Sequence, residues 1–541
     1  RAPIAGAFAL DFESGELTPT AASKSVVDYS FGEGVVLSDT PTYIHVAVPA
    51  GAYDELYVTL YDENGGVMYA TIKAGEKKPL AVGAVREFAN AIAYTPNATA
   101  FVIRDKASLK AFAEQAATLE KDALFVADID MTGEAWTSIT GYEKTVLGNG
   151  YAIKGLTAPL FNETNASIKS LHLRDVAITS NDAIYMGAFA NKITSNDNTN
   201  VTIEHCSASG VLTVKNPTYA SATKNDKTNL FYGGLVGYGL GVEFNNCVNK
   251  VAMKVEQSAT TSATVAQVGC YGGIVGYITY YVNSADKALI TYSTVKNCTN
   301  QGAIIIDEKV WGEGKSMISH FVGGIVAFNS KNNVIGGEIS NCVNDAPISL
   351  NNPANYGASG EYTMVGGIIG YAQILDAEGL PLFHVSDCVN TKNGKITISG
   401  KGTSTYVAGI GGYVYNCDWK NVTNYAEINC SAILSGHFYI AGALSSPGLN
   451  DDTAKHTYKG DNINNYGKVN VTGAGATFYV GGLLARASQG EVSNSNNYGE
   501  VYVKPTDATS ITNVIIGGFE AVGVGDGDAG SLTNCHNHAP V

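Results

Sequence analysis

Positive charge is what this sequence most lacks. Only 15% of its 541 residues are charged, and 34 Lys and Arg stand against 49 Asp and Glu, for a net charge of −15. With no basic field to draw phosphate, nucleic acid and anionic membrane surfaces are excluded as partners. No apolar run approaches the roughly 18–20 residues that cross a bilayer. No transmembrane segment is therefore expected, and any membrane attachment lies in sequence absent here. There is no initiator Met and no signal peptide, which reads as a mature form. The nine cysteines include no Cys-x-x-Cys pair, the spacing a zinc cage favours, so neither metal nor cofactor is expected.

What is abundant is glycine, with 61 residues, together with Asn, Ser and Thr. This is a turn-rich β composition and not a disordered one. The length exceeds one ordinary core, so several domains or a repeat are expected. A repeat is present. An aromatic-Val-Gly-Gly-aliphatic phrase recurs at Gly233-Gly234, Gly272-Gly273, Gly323-Gly324, Gly366-Gly367, Ala408-Gly409, Ala441-Gly442, Gly481-Gly482 and Gly517-Gly518, after a degenerate copy at Gly187-Ala188. The second half of each unit centres on Cys206, Cys247, Cys298, Cys342, Cys388, Val422, Ile463, Ser495 or Cys535, with Asn two places later in every copy but the first. A strictly alternating strand follows, such as Ile304/Ile306 or Ile348/Leu350, the mark of a half-buried strand. Three short strands per unit, in about nine units from residue 185, predict an all-β protein: a right-handed parallel β-helix, or solenoid, over residues 99–541.

Stacking accounts for the unusual residues. An Asn repeated in every coil forms a hydrogen-bonded ladder and tolerates the left-handed backbone of a corner, while paired Gly allow a tight corner or close backbone approach. Six cysteines share a position where Val, Ile and Ser substitute, as a small buried hydrophobe does. In-register Cβ atoms about 4.8 Å apart are too distant for a disulfide, which prefers about 3.8 Å. Free thiols in an inward file are expected. Cys535-His536-Asn537-His538 is read as the last copy of the corner and not as a metal site. Residues 105–120 predict a capping helix with Asp105 as N-cap and Leu109, Phe112, Ala113, Ala116 and Leu119 on one face. Asp128 and Asp130 beside it are read as structural. Residues 1–98 lack the repeat and predict a β-sandwich-type domain, with a hairpin turning at Asn64-Gly65.

Several stretches carry a family resemblance. SLKAFAEQAATLEKDALFVADIDMTGEAWTSI, VLGNGYAIKGL, APLFNET and the Gly-Gly-Leu-Val-Gly repeats resemble GLUG-type β-helix surface proteins of gut Bacteroidetes. VVLSDTPTYIHVAVPAGAYDELYVTLYDENGGVMYATIK resembles the later half of the fimbrillin-like domain found before them. The resemblance implies an extracellular or outer-membrane-surface lipoprotein with an adhesin role. The lipidated Cys of such proteins is absent here. Asp452-Thr453-Ala454 matches the short O-glycosylation pattern of these bacteria.

One ladder looks functional. An aromatic follows each Gly-Gly core at Tyr238, Tyr277, Phe328, Tyr371 and Tyr413, changing to Ser446, Arg486 and Val522 in later copies. Counted alternately, the aliphatic at 235, 274, 325, 368 and 410 and the small residue two places on point inward. The aromatic points outward, beside the position of Glu520 in the last copy. Stacked outward rings would form a platform for sugars, unless inserts cover them. Trp311, Tyr356 and Tyr219 lie in one class of insert, and Trp419, Tyr415, Tyr280 and Tyr281 in the other. The predicted ligand is a host or dietary glycan or glycoprotein held along the insert-bearing side. The rival reading is a polysaccharide lyase or glycosidase, which needs a base with a charge stabiliser or two spaced carboxyls. Asp307, Glu308 and Glu313, and separately Asp526 and Asp528, cluster without an identifiable partner, so no enzyme is expected. A structural stalk or pilus-associated subunit is the third reading.

Overall fold

The computed structural model describes residues 5–10, 17–24, 48–49, 55–61 and 67–73, and residues 100–541 except 181–182, 198–199, 216–229, 258–267, 285, 287–288, 309–318, 330–336, 352–361, 374–382, 416, 448–457, 488–489, 508–510 and 524–530. Near the N-terminus, Ala5–Leu10 pairs antiparallel with Leu17–Lys24. Glu55–Tyr61 pairs antiparallel with Val67–Lys73, in register from Glu55↔Lys73 to Tyr61↔Val67. The turn at Asn64-Gly65 and most other strands expected in residues 1–98 fall outside the described residues.

From Phe101 onward the chain is a parallel β-helix. Its described strands form sheets of 29, 11 and 9 strands. One coil shows the plan. Val268–Gly272 lies in the nine-stranded sheet and Val275–Thr279 in the eleven-stranded one, while Thr294–Lys296, Thr299–Asn300 and Ile304–Glu308 lie in the largest. Successive copies pair in register, with Gly233 on Gly272, Gly272 on Gly323 and Gly323 on Gly366.

Inside, like packs on like. Leu235, Ile274, Ile325, Ile368 and Ile410 are fully buried in the core, and so are the residues that follow the first four, Val236, Val275, Val326 and Ile369. Two consecutive residues face inward because the corner lies between them. The expected inward turn of the small residue two places on is therefore wrong where it can be checked: Ala327 packs in a separate, outer cluster. Cys206, Cys247, Cys298, Cys342 and Cys388 line the core as free, buried thiols. They act as small hydrophobes that also donate weakly, as from Cys247 Sγ to Ile203 O at 3.2 Å.

The Asn ladder is present, and from Asn249 to Asn497 it is hidden from water. Nδ2 of Asn249, Asn300, Asn344, Asn390, Asn424, Asn465 and Asn497 each donates to Oδ1 of the next copy at 2.8–2.9 Å, ending on Asn537. The left-handed corner is made by a different residue, the one just before the Cys position: Asn246, Asn297, Asn341, Asp387, Asn421, Asn462, Asn494 and Asn534 have φ of 51–54° or, for Asn462, 56°. One sequence position was expected to do both jobs. They separate because a residue whose side chain points into the ladder must keep ordinary strand geometry. The second Gly of each pair is explained by the same ladder. A Cβ on Gly324 would lie 2.0 Å from Gly367 O and 2.4 Å from Asn344 Cγ. The demand is close approach and not positive φ.

Helix α1 (Lys106–Gln115) covers the N-terminal end of the coil, with Leu109 and Phe112 buried, and Ser108 N donating to Asp105 Oδ1 at 2.8 Å. Asp128 accepts from Ala152 N at 2.7 Å and Asp130 from Thr132 N at 2.9 Å, so both acids brace backbone turns.

In the last coil, Glu520 pairs with Leu484, which pairs with Leu444. It therefore continues the inward aliphatic file, two places before the aromatic position beside which it was expected. Burial pushes its carboxyl pKa up. A raised carboxyl pKa means the folded state penalises the charged form. The penalty is complete above the folded pKa and absent below the unfolded value of 4.5. Glu520→Gln is expected to raise the melting temperature at pH 7 and to leave it unchanged near pH 4. An equal gain at both values would show that burial of the charge is not the cause.

Candidate binding surfaces

The predicted aromatic file lies outside the core. Tyr238, Tyr277, Phe328, Tyr371 and Tyr413 run ring to ring, with successive centroids 4.9, 4.9, 5.2 and 5.8 Å apart. Coils rise about 4.8 Å while carbon atoms in contact sit about 3.5–4.0 Å apart, so stacked rings close the gap by leaning, and the surface they make is shingled.

This file is not an open platform, because a second one faces it. Tyr185, Phe231, Phe321, Tyr406, Tyr439 and Tyr479 occupy the aromatic position of the Val-Gly-Gly phrase, on the preceding strand. Phe231 lies 4.8 Å from Tyr277, Phe321 4.5 Å from Tyr371, and Tyr406 4.5 Å from Tyr413. The two files zip together across a re-entrant corner. Phe328 is 5% exposed and Tyr371 8%, while Tyr238, Tyr277 and Tyr413 are half-buried. Burial raises the hydroxyl pKa of Tyr238, Tyr371 and Tyr406, and lifts that of Tyr413 to about 12. All of them stay neutral at physiological pH. The zipper is a second hydrophobic core whose rim, at Tyr238, Tyr277 and Tyr413, reaches solvent.

The other predicted contacts are scattered. Trp311, Tyr356 and Tyr219 lie outside the described residues, as do Glu313, Asp526 and Asp528. Trp419, read as an insert residue, is 1% exposed inside strand Cys417–Asn424 and belongs to the inner core. Tyr281 pins a hairpin by donating to Asp197 Oδ1 at 2.8 Å. Asp307 accepts from Asn351 Nδ2 at 2.9 Å. Among the described residues, no group of three His, Cys, Asp or Glu is placed to hold a metal ion.

An open ring stack lies at another corner, which the sequence reading missed. Tyr425, Tyr466 and Tyr498 are 40, 45 and 41% exposed. Their centroids are 4.9 and 4.6 Å apart, and His538 continues the stack 4.6 Å beyond Tyr498, with planes within 14° throughout. Each follows a ladder Asn, so the rigid ladder sets the spacing. Amides border the stack: Asn462 Nδ2 donates to Asn421 Oδ1 at 3.0 Å, Asn464 Nδ2 to Asn462 Oδ1 at 2.7 Å, and Asn496 Nδ2 to Asn464 Oδ1 at 3.2 Å. The signal was the Asn-Tyr pair in the last regular copies, where earlier ones have Lys250, Gln301, Asp345 and Thr391.

No protein-family model matches this chain, and no curated protein matches it. Several solved structures resemble it distantly. A crystal structure of a "putative immunoglobulin A1 protease" from Bacteroides ovatus is 13% identical with a TM-score of 0.33, covering 61% of this chain and 78% of that one. A structure named IgA1 protease is 15% identical with a TM-score of 0.35, covering 75% of this chain but only 25% of that one. This chain therefore spans about a quarter of that second protein. Likenesses this distant assign no activity.

Proposed function

We propose that this chain is a non-catalytic, cell-surface protein that binds a glycan or glycoprotein, its β-helix displaying aromatic and amide side chains at fixed intervals. The observation that carries this reading is the exposed stack of Tyr425, Tyr466, Tyr498 and His538 beside neutral amides. Tyrosine gives a large contact area with few rotatable bonds, and amides both donate and accept, as sugar hydroxyls require. Trp311, Tyr356 and Tyr219 are retained as proposed contacts on the insert-bearing side. Residues 1–98 are proposed to form the fimbrillin-like domain, and the protein to sit at the outer surface, lipid-anchored through sequence outside this chain.

On a glycan array, the intact protein is expected to select neutral glycans, and Tyr466→Ala/Tyr498→Ala to weaken that binding by about tenfold or more. A Trp311→Ala/Tyr356→Ala variant tests the insert side in parallel. Binding unchanged in the tyrosine variant moves the site away from the stack, and no binding anywhere favours the stalk reading. Incubation with the same glycans should release no new reducing ends or unsaturated products, and immunoglobulin A should stay intact. Turnover of either would promote the enzymatic alternative.

A further inference from the structure

The outer aromatic zipper changes character near its C-terminal end. After Tyr413 the file passes to Ser446, in register with it, and then to Arg486. Arg486 is the only arginine after Arg174 in a chain of net charge −15. It is half-buried, and it forms no ion pair among the described residues. Its guanidinium carbon lies 5.8 Å from the ring centre of Tyr439, which is only 8% exposed. Tyr439 is stacked between Tyr406, at 4.5 Å, and Tyr479, at 4.9 Å, with planes within 10°. His437 edges both Tyr439, at 5.7 Å, and Tyr479, at 6.4 Å.

A cation over an aromatic face is held by the ring quadrupole. A guanidinium so placed keeps its in-plane N–H donors, which match the two oxygens of a carboxylate. Elsewhere in the described helix several exposed cations pair with a carboxylate in an adjacent coil, as Lys296 does with Glu338, Lys395 with Glu427 and Lys468 with Glu500. Arg486 is set instead among tyrosines, with no carboxylate partner among the described residues.

We propose that the surface formed by Arg486, Tyr413, Tyr479 and His437 is a binding site for an acidic sugar, with its carboxylate on the guanidinium and its ring against the solvent-reaching parts of Tyr413 and Tyr479. The aromatic surround selects a sugar over an acidic peptide, because a carboxylate on a flexible side chain gains nothing from rings that a pyranose face covers. The chain's net negative charge repels densely charged polyanions, so the ligand carries one acidic residue on an otherwise neutral glycan. This site is separate from the Tyr425–Tyr498 stack and does not depend on it.

Calorimetric titration with a disaccharide ending in glucuronic acid, and with the glucose counterpart, tests the assignment. The acidic disaccharide is expected to bind at least tenfold more tightly than the neutral one. Arg486→Gln is expected to remove that preference while keeping the parent melting temperature, and Arg486→Lys to restore part of it. Tyr479→Ala keeps the cation and removes a ring, and should weaken the acidic sugar about tenfold, which covers the case of a glutamine variant that does not fold. The Tyr466→Ala/Tyr498→Ala protein should bind it normally, so failure here and failure of the neutral-glycan site are distinguishable. Equal binding of the two disaccharides, undiminished binding in both the arginine and Tyr479 variants, or equal binding of a glutamate-rich peptide would each overturn the proposal.

Discussion

Asn390→Leu is expected to destabilise the β-helix by about 2–6 kcal/mol, taking about 1–3 kcal/mol each for the Asn344 amide hydrogen and Gly394 O left without a partner, while Asn424 Oδ1 keeps Ala426 N. Asn390 is fully buried. Its Nδ2 donates to Asn424 Oδ1 at 2.9 Å and to Gly394 O at 3.2 Å, and its Oδ1 accepts from Asn344 Nδ2 at 2.8 Å. Leucine matches the volume roughly and satisfies none of these groups. Asn390→Asp should be nearly as harmful, since a carboxylate cannot donate to the Asn424 oxygen. The exposed neighbour Asn393, whose Nδ2 donates to Asp345 Oδ1 at 2.9 Å, is the control, and its Ala variant should stay within about 0.5 kcal/mol of the parent. Urea unfolding measures the loss. Because coils couple to their neighbours, hydrogen exchange should rise first in the strands on either side of Asn390 and last at helix α1. A uniform rise along the chain would contradict the nearest-neighbour picture.

The second large effect concerns one layer of the inner core. Along the file Val236, Val275, Val326, Ile369, Gly411, Leu444 and Leu484, a single glycine interrupts the aliphatics. Restoring the repeat with Gly411→Val looks like an improvement by the pattern. The structure indicates the opposite, because a Cβ on Gly411 would lie 2.5 Å from Cη2 of Trp419 and 3.2 Å from Leu444 Cδ2. The tryptophan occupies the space that the glycine vacates. Gly411→Val is expected to cost about 1–3 kcal/mol by overpacking, and Trp419→Ala about 3–5 kcal/mol by the cavity it leaves. The double variant should cost at least about 1 kcal/mol less than the sum, since each change relieves the other. Strict additivity in denaturant unfolding would show that the two side chains do not share the layer.

These two cases mark what the sequence determined. In a solenoid each coil meets the same local demands as the one below it, so a demand appears in the sequence as a repeated letter. The parallel β-helix, the inward thiol file, the Asn ladder and the need for paired Gly were legible for that reason, and the capping helix was legible from its own N-cap, Asp105, and its apolar face. Two readings went astray where one letter was given two jobs or one face was assumed. The ladder Asn and the left-handed Asn three places earlier have separate roles. Period-two counting across the corner placed Ala327 inside the core and moved Glu520 out of its file.

Only the tertiary structure decided which outward faces meet. Whether Tyr371 looks at water or at Phe321 depends on the angle between two sheets at the Gly-Gly corner, and no local pattern encodes that angle. The same holds for Trp419, whose burial depends on a glycine eight residues away, and for Arg486, whose setting depends on a ring in the preceding coil. The Tyr425–Tyr466–Tyr498 stack stays open for the complementary reason: among the described residues, no second strand comes back over the corner it occupies.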